Sequence, residues 1–396
     1  MPFLLLRSMN RPANSPLNPR ICILGGGFAG LYSALALAKI SLLQQWEIVL
    51  IDQRDRFEFS PLLYELISGE LEAWEIAPPY LQLLRNWPIT VYCDRIEAIN
   101  LNARQVQLRD RGPLNYTYLI IALGVESRLP PHPDVLTFRS LADVEKLKAE
   151  LERFKHQSSL DISIIGAGAS GIELACKLCD RLGPGQQIHL IHRGSQLLPE
   201  LSPPIRKAAE RAINQRRIRL SLNTNVEKIQ HQGDFQLQLT QHEQSFRETS
   251  HLVIWTAGTQ ANPLISSLPG GDRGQLRVTP ELQLTRYPEV FVLGDVAATP
   301  FPNTAQVAYQ QAPHVAQNLK GYIFQQPLKP FHYKHIGDML TLGIHNGVVH
   351  SFGLTLTGRL AHLIRSLTYI QRLPTLKQSL RVFAHRLKRI FRPSSR

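Results

Sequence analysis

The chain has 396 residues, of which 43% are apolar and 19% charged, and its 44 Lys and Arg outnumber 31 Asp and Glu for a net charge of +13. At about 150 residues per domain that is length for two to three cores, and the composition excludes a disordered or collagen-like chain. Four scattered cysteines exclude a disulfide-stapled scaffold, and no run approaches the roughly 18 apolar residues of a membrane-crossing helix.

At the start, Met1–Leu6 has four adjacent apolar residues before Arg7, too few for a signal-peptide core. Arg7, Arg11 and Arg20, with no acid before Glu47, give at most a weak transit-peptide pattern. Residues 11–19, rich in Pro, Asn and Ser, read as a loop. A short apolar strand over 21–24 runs directly into Gly25-Gly26-Gly27-Phe28-Ala29-Gly30. A Leu/Ala-rich helix follows to Ile40, and a second strand over 47–51 ends at Asp52. This is a βαβ unit with G-x-G-x-x-G at its turn. Gly25, Gly27 and Gly30, with Phe28 and Ala29 between them, let the backbone approach a pyrophosphate on the helix N-terminus. Asp52 is placed to accept from a ribose 2′-hydroxyl. A glycine turn in an unrelated α/β core is the competing reading.

The pattern recurs. Residues 161–165 lead into Gly166-Ala167-Gly168-Ala169-Ser170-Gly171, a helix runs from 172 to about 181, and residues 187–191 form the next strand. Here His192 stands where Asp52 stood, with Arg193 beside it. The acid that favours NAD is missing, and the pair suits the 2′-phosphate of NADPH; an arginine solvated in a loop is the alternative. Two copies predict two dinucleotides, a bound flavin and an exchangeable NADPH or NADH. Residues 118–124 and 252–258 are short strands ending in Ala122-Leu123-Gly124 and Thr256-Ala257-Gly258. Residues 289–297 form a buried strand ending in Gly294-Asp295, whose acid is placed to accept from sugar or ribityl hydroxyls.

In Ala305-Gln306-Val307-Ala308-Tyr309-Gln310-Gln311, Gln306 and Gln310 are four apart and share a helix face. Two amides there can donate to a quinone carbonyl, with Ala305 and Ala308 leaving room for a flat ring; solvated glutamines at a helix start are the plainer reading. Pro302-Asn303-Thr304 suits a turn and cap, and Pro313 is expected to kink the helix if it runs further.

The basic excess is concentrated at the end. No acid follows Asp338, and ten Lys or Arg lie between Arg359 and Arg396. Two amphipathic helices are expected there. Leu356, Leu360, Leu363, Leu367 and Ile370 stripe the first, with Arg359, His362, Arg365 and Arg372 off the stripe. After Pro374, Leu376, Leu380, Phe383, Leu387 and Ile390 stripe the second, flanked by Arg381, Lys388 and Arg392. An apolar stripe with basic flanks suits an anionic membrane surface better than nucleic acid. A hairpin packed on the protein, or on a second copy as a homodimer, stays open.

Cys176-Lys177-Leu178-Cys179 has the spacing of a redox or metal pair, but its place inside the second helix points to core packing. No His, Cys or Asp cluster has metal-site spacing, so no metal is expected.

Together these motifs resemble the type II NAD(P)H:quinone oxidoreductases over residues 20–390. The resemblance also rests on Phe57-Glu58-Phe59-Ser60-Pro61-Leu62-Leu63-Tyr64 with Gly69, on the A-Q-x-A-x-Q pattern at 305–310, and on Gly171-Ile172-Glu173. It implies an α/β fold of two Rossmann-like domains with a C-terminal amphipathic membrane-binding tail. FAD would occupy 18–130 with 275–335, NAD(P)H 135–270, and the membrane-binding or dimerising region 336–396. It implies hydride transfer from nicotinamide to flavin and delivery of both electrons to a prenylated quinone, with Glu173 beside the rings and Gln306 and Gln310 at the quinone. His362 and His385 depart from the Trp common in relatives. The His192-Arg193 pair is most similar to a cyanobacterial and plastid subgroup that reduces demethylphylloquinone with NADPH for phylloquinone biosynthesis. That would place the protein peripherally on the cytoplasmic side of a thylakoid or plasma membrane. A respiratory NADH dehydrogenase acting on plastoquinone or menaquinone, a non-catalytic redox sensor, and an oxidoreductase with a small protein or soluble acceptor are the alternatives.

Overall fold

The computed structural model describes residues 19–391, and not the side chains of Ser127, Ala261, Arg389, Ile390 and Phe391. The apolar start, its arginines and the loop to residue 18, like Arg392 and Arg396, lie outside the described residues. In chain order, the elements that carry the candidate site begin with β1 (Arg20–Leu24), α1 (Phe28–Ala38), β2 (Glu47–Asp52), β3 (Ile89–Cys93) and β4 (Tyr118–Ile121). They continue with β5 (Leu160–Ile165), α2 (Ala169–Leu182), β6 (Gln186–Ile191), β7 (Arg219–Ser221), β8 (Leu252–Trp255) and β9 (Tyr287–Val292). The last are α3 (Ala305–Ile323), α4 (Gly358–Gln371) and α5 (Leu376–Phe391).

Two compact units form. The first comprises residues up to Phe57, Pro79–Glu126 and Gln260–Tyr333. Its main sheet is ordered β9-β4-β1-β2-β3, all parallel, with a short antiparallel strand Gln283–Leu284 beside β9. Runs such as Ile21-Cys22-Ile23-Leu24 and Leu119-Ile120-Ile121 are wholly buried. Strands covered on both faces need apolar side chains at every position, which is why these segments read as continuous apolar runs.

The second unit comprises Glu58–Pro78, Ser127–Thr259 and the chain from Lys334 onward. Its parallel sheet runs β7-β6-β5-β8, ending on the short strand Leu136–Thr137. The order matches β3-β2-β1-β4 strand for strand, and the match extends to single hydrogen bonds. Gly25 N–H donates to Ile51 O and Gly166 N–H to Ile191 O, each at 2.8 Å. Ala122 N–H donates to Leu24 O at 2.8 Å and Thr256 N–H to Ile165 O at 2.9 Å. The sequence repeat is therefore a repeat of backbone geometry.

Two details of the tail differ from the expectations above, and α3 runs further than the segment read from the sequence. α3 continues through Pro313 to Ile323. Val307, Gln311, Val315 and Leu319 form a buried stripe along it, and that packing outweighs the one amide the proline removes. Leu356 belongs to the strand Leu354–Thr357, not to the helix after it. Ile370 is buried, so the exposed stripe of α4 ends at Leu367.

Candidate active site

Each glycine turn is built from three glycines with three separate reasons. Gly25 has φ +96°, and a Cβ on it would stand 2.4 Å from Ala122 O. Gly166 has φ +115°, with Thr256 Oγ1 at 2.8 Å from the same imagined atom. Only glycine serves there. The third glycines, Gly30 and Gly171, close the helix onto the turn; a Cβ on either would meet the carbonyl oxygen of Gly25 or Gly166 at 1.8 Å. The second glycines differ in kind. A Cβ on Gly27 or Gly168 would meet no protein atom within 4 Å, and both have ordinary extended backbones, with φ −72° and −75°. Protein packing gives no reason for glycine at these two positions, whereas close approach of a pyrophosphate to the helix N-terminus does. The residues present thus fit a dinucleotide at each turn.

The residue closing the second strand of each repeat is equally matched. Asp52 Oδ2 accepts from Gly26 N–H at 2.6 Å, and Oδ1 from Arg54 N–H at 2.8 Å. In the second unit His192 Nδ1 accepts from Ala167 N–H at 3.3 Å. His192 thus takes the acid's place in the hydrogen-bond pattern as well as in the chain. Burial, then the neighbouring Arg193, lowers its pKa. A neutral imidazole that accepts at Nδ1 carries its proton on Nε2, so this position presents a donor where Asp52 presents an acceptor. Arg193 is exposed.

Gly124 and Gly258 follow β4 and β8 with φ +64° and +76°, and only Arg128 side-chain carbons approach the second, at 3.8 Å. Gly294, with φ +75°, packs against Ala29, whose Cβ would lie 3.2 Å from its own. Gly294 N–H donates to Gln311 Oε1 at 2.7 Å. Asp295 is half-buried, and its backbone carbonyl accepts from Gln275 at 3.1 Å. Thr304 caps α3 through Val307 N–H at 3.3 Å. Gln306 and Gln310 are half-buried on one face of this helix, and Gln306 Oε1 accepts from the Tyr333 hydroxyl. Between them Tyr309 meets Tyr32 edge-on, at 4.9 Å between ring centres, and Tyr32 and Phe28 both approach Phe57.

Glu173 sits at the start of the second turn of α2 and is buried among charges. Its Oε1 accepts from Thr341 N–H at 2.9 Å and lies 3.4 Å from an Arg365 nitrogen. Arg365, wholly buried, also pairs with Glu65 and donates to Pro61 O at 2.8 Å. Lys177 pairs with Glu70 and stands 3.9 Å from Glu65. Burial pushes the Glu173 carboxyl up to about 7, against the pull of Arg365 and the Thr341 amide. Arg365 was expected as a solvated flank of the tail; instead it balances these carboxylates. Cys176 is buried and its thiol is pushed up to about 12 by burial, and Cys179 is raised for the same reason. Neither supplies a ready thiolate, in keeping with core packing.

Two contributors carry no local sequence signal, and a third was overlooked. Tyr80 is buried and its hydroxyl donates to Gly26 O at 2.9 Å, pinning the first turn from 54 residues away. Arg365 reaches Glu65 over 300 residues. Gln311 was legible in principle, because it falls on the buried stripe of α3 rather than on the face of Gln306 and Gln310.

The tail exposes its apolar residues. Leu360, Leu363 and Leu367 on α4, and Leu376, Leu380, Phe383 and Leu387 on α5, are all exposed. Phe352, at the tip of the preceding hairpin, is 91% exposed. On the opposite side α5 is held by Gln378, which donates to Trp74 O at 2.9 Å, and by Arg386, 3.2 Å from Glu75. His362 and His385 also turn toward protein, His385 edge-on to Trp74 at 5.0 Å. Among the described residues no helix is long and apolar enough to cross a membrane.

Paired parallel sheets, each with an open glycine at a strand-to-helix turn, define an α/β protein with two dinucleotide cradles. The family model for pyridine nucleotide-disulphide oxidoreductases matches residues 19–312. The chain is 39% identical to a demethylphylloquinone reductase of Synechocystis sp., over 92% of this chain and 94% of that protein. It is 34% identical to the alternative NAD(P)H-ubiquinone oxidoreductase C1, chloroplastic/mitochondrial, of Arabidopsis thaliana, over 93% and 80%. In fold it is similar to NDH2 of Plasmodium falciparum, solved with NADH, with a TM-score of 0.82 at 18% identity over 94% and 98% of the two chains. The chain belongs to the pyridine nucleotide-disulphide oxidoreductase family and, within it, to the type II NAD(P)H:quinone oxidoreductases, flavoenzymes that pass electrons from a nicotinamide dinucleotide to a quinone.

Proposed function

We propose that this enzyme uses FAD and NADPH to reduce demethylphylloquinone, a prenylated quinone, at a membrane surface. The observation that carries the coenzyme choice is His192 on Ala167 N–H, in the place of Asp52 on Gly26 N–H. Asp52 accepts from a ribose hydroxyl, which suits FAD. His192 offers Nε2–H and Arg193 a positive charge, which suit a 2′-phosphate. The quinone choice is supported by the 39% identity to a reductase of that name over nearly the whole of both chains.

In this reading residues 18–130 and 275–335 hold FAD. Gly25, Gly27, Phe28, Ala29 and Gly30 receive its pyrophosphate, Asp295 accepts from its ribityl chain, and Gly124 and Gly294 let backbone approach it. Residues 135–270 hold NADPH on Gly166, Gly168 and Gly171, with Gly258 beside them. A bound flavin supplies the two-electron chemistry, and the chain's own groups position, donate and exclude water. Tyr333 orients the Gln306 amide through its oxygen, and Gln306 and Gln310 donate to a quinone carbonyl. Glu173 holds a proton near neutral pH; Oε1 is taken by Thr341 and Arg365, so that proton resides on Oε2. The exposed leucines of α4 and α5 enter the headgroup region with Arg359, Arg381 and Lys388 toward anionic lipid. This makes the protein peripheral, on the cytoplasmic face, while the same surface on a second copy would give a dimer.

A panel of acceptors with both nicotinamides tests this. Wild type should oxidise NADPH faster than NADH, and prenylated naphthoquinones should outrun ferricyanide or oxygen. Arg193→Glu should lower the ratio of kcat/KM for NADPH over NADH by roughly tenfold or more, as the loss of one charge-assisted pair predicts. An unchanged ratio removes the arginine from the site, and preference for NADH with a ubiquinone or plastoquinone favours a respiratory role. NAD(P)H oxidation indifferent to quinone would end the quinone reading.

A further inference from the structure

We propose that Glu70, His345 and His362 form a zinc site that ties α4 to the core of its unit. All three residues belong to the second unit: Glu70 in the turn after the helix Leu63–Ile67, His345 in the turn between the strands Asp338–Thr341 and Gly347–Ser351, and His362 in the second turn of α4. One ligand atom from each lies within 4.8 Å of the others. His345 Nδ1 is 3.5 Å from Glu70 Oε1, and His362 Nε2 is 3.9 Å from that same oxygen. Tetrahedral zinc with bonds near 2.0–2.1 Å sets its ligands about 3.4 Å apart, so the two histidine–carboxylate pairs at 3.5 and 3.9 Å are close to that spacing and the two histidine nitrogens, within 4.8 Å of each other, must draw together by up to about 1.4 Å on binding. The two rings stand at 83°, 5.5 Å apart, and present their nitrogens to one point rather than stacking.

The surroundings suit a metal with three protein ligands and an open fourth position. Glu70 is nearly buried and fixed from behind: Lys177 and Ser68 hold Oε2, and His345 N–H donates to Oε1 at 3.0 Å. Such outer partners orient a ligating carboxylate. The Lys177 ammonium and these donors favour the carboxylate form of Glu70. His362 Nδ1 is buried and has no partner among the described residues, while Nε2 is the nitrogen turned toward Glu70. The His345 side chain is 66% exposed, which gives an entry path and room for a water ligand. The Lys177 ammonium lies on Oε2, the carboxylate oxygen turned away from the two histidines. Two imidazoles and a carboxylate are borderline ligands for which zinc is the fitting ion. Positions 70, 345 and 362 are too far apart in the chain to form a legible motif.

Full-length flavoprotein stripped with a chelator and titrated with zinc against a chromophoric chelator tests this. Wild type should take up one zinc per chain, with an X-ray absorption edge signature of two imidazoles and a carboxylate. His345→Gln, at an exposed turn that should leave the fold intact, should weaken binding at least about tenfold. His332→Gln, a surface histidine elsewhere, should change nothing. Zinc should raise Tm in wild type and not in His345→Gln. Substoichiometric uptake, or equal affinity in wild type and His345→Gln, would overturn the site and assign any bound zinc to scattered histidines.

Discussion

At the scale of single residues, the two kinds of glycine in each turn make opposite demands. Gly27 has an ordinary backbone and open space where a side chain would go, so Gly27→Ala costs the protein little by itself. Gly30 has the carbonyl of Gly25 at 1.8 Å from the same imagined atom, and backbone cannot yield cheaply. Overpacking of that kind costs about 3 kcal/mol or more. Purified Gly27→Ala should therefore keep the Tm of flavin-free wild type yet hold less than half its flavin, read from visible absorbance. Gly30→Ala should lose several degrees of Tm even without flavin. Full flavin occupancy in Gly27→Ala would show that no pyrophosphate rests there. The contrast also explains why the motif is readable at all. One glycine is fixed by φ, one by packing and one by ligand, and together they leave a spaced pattern that few other structures require.

Elements show where such legibility stops. β1, β2, β4 and their counterparts were readable because strands covered on both faces must be apolar throughout. α4 and α5 were readable because exposed leucines recur every three to four residues. The cluster around Arg365 was not, because its partners Glu65 and Glu173 come from distant segments, and an arginine off an apolar stripe looks solvated in sequence. For the same reason Tyr80, Gln378 and the trio of Glu70, His345 and His362 carried no signal. Local period reports which face of a helix is apolar; it does not report whether protein, lipid or water covers the other. On α5 the exposed face is the one with testable consequences. Leu380 and Phe383 are 59% and 45% exposed, and transfer of each half-exposed side chain into lipid is worth about 1 kcal/mol. Leu380→Asp with Phe383→Asp should leave folding stability within roughly 1 kcal/mol of wild type and reduce binding to anionic vesicles at least about tenfold. Unchanged vesicle binding, with loss of a dimer in sedimentation, would assign the face to a second copy instead.

At the scale of the whole molecule, the charges of the C-terminal segment do more than bias a surface. Arg365 enters a buried group with Glu65, Glu173, Lys177 and Glu70, so part of the net charge is spent inside the second unit. That group makes stability depend on pH with a sign that can be worked out. The Glu173 carboxyl has an ordinary value of 4.5 and is raised by burial to about 7 in the folded state. Between those values the folded protein holds a proton that the unfolded chain has released, so unfolding releases protons and stability falls as pH rises. Glu173's contribution is fully present below 4.5, is lost progressively up to about 7, and is flat above it. The span corresponds to up to roughly 3 kcal/mol. Glu70 has the opposite sign, because its lowered pKa withdraws stability only as pH falls below the ordinary carboxyl range, so the two effects separate along the pH axis. Glu173→Gln keeps an oxygen for Thr341 N–H and Arg365 but cannot ionise. Melting curves between about pH 5 and 8 should show wild-type Tm falling by several degrees more than that of Glu173→Gln, at about 2–4 °C per kcal/mol for a unit of this size. The variant should be the more stable of the two at the alkaline end. Parallel curves would mean that Glu173 stays ionised throughout, held by Arg365, and keeps no proton on Oε2.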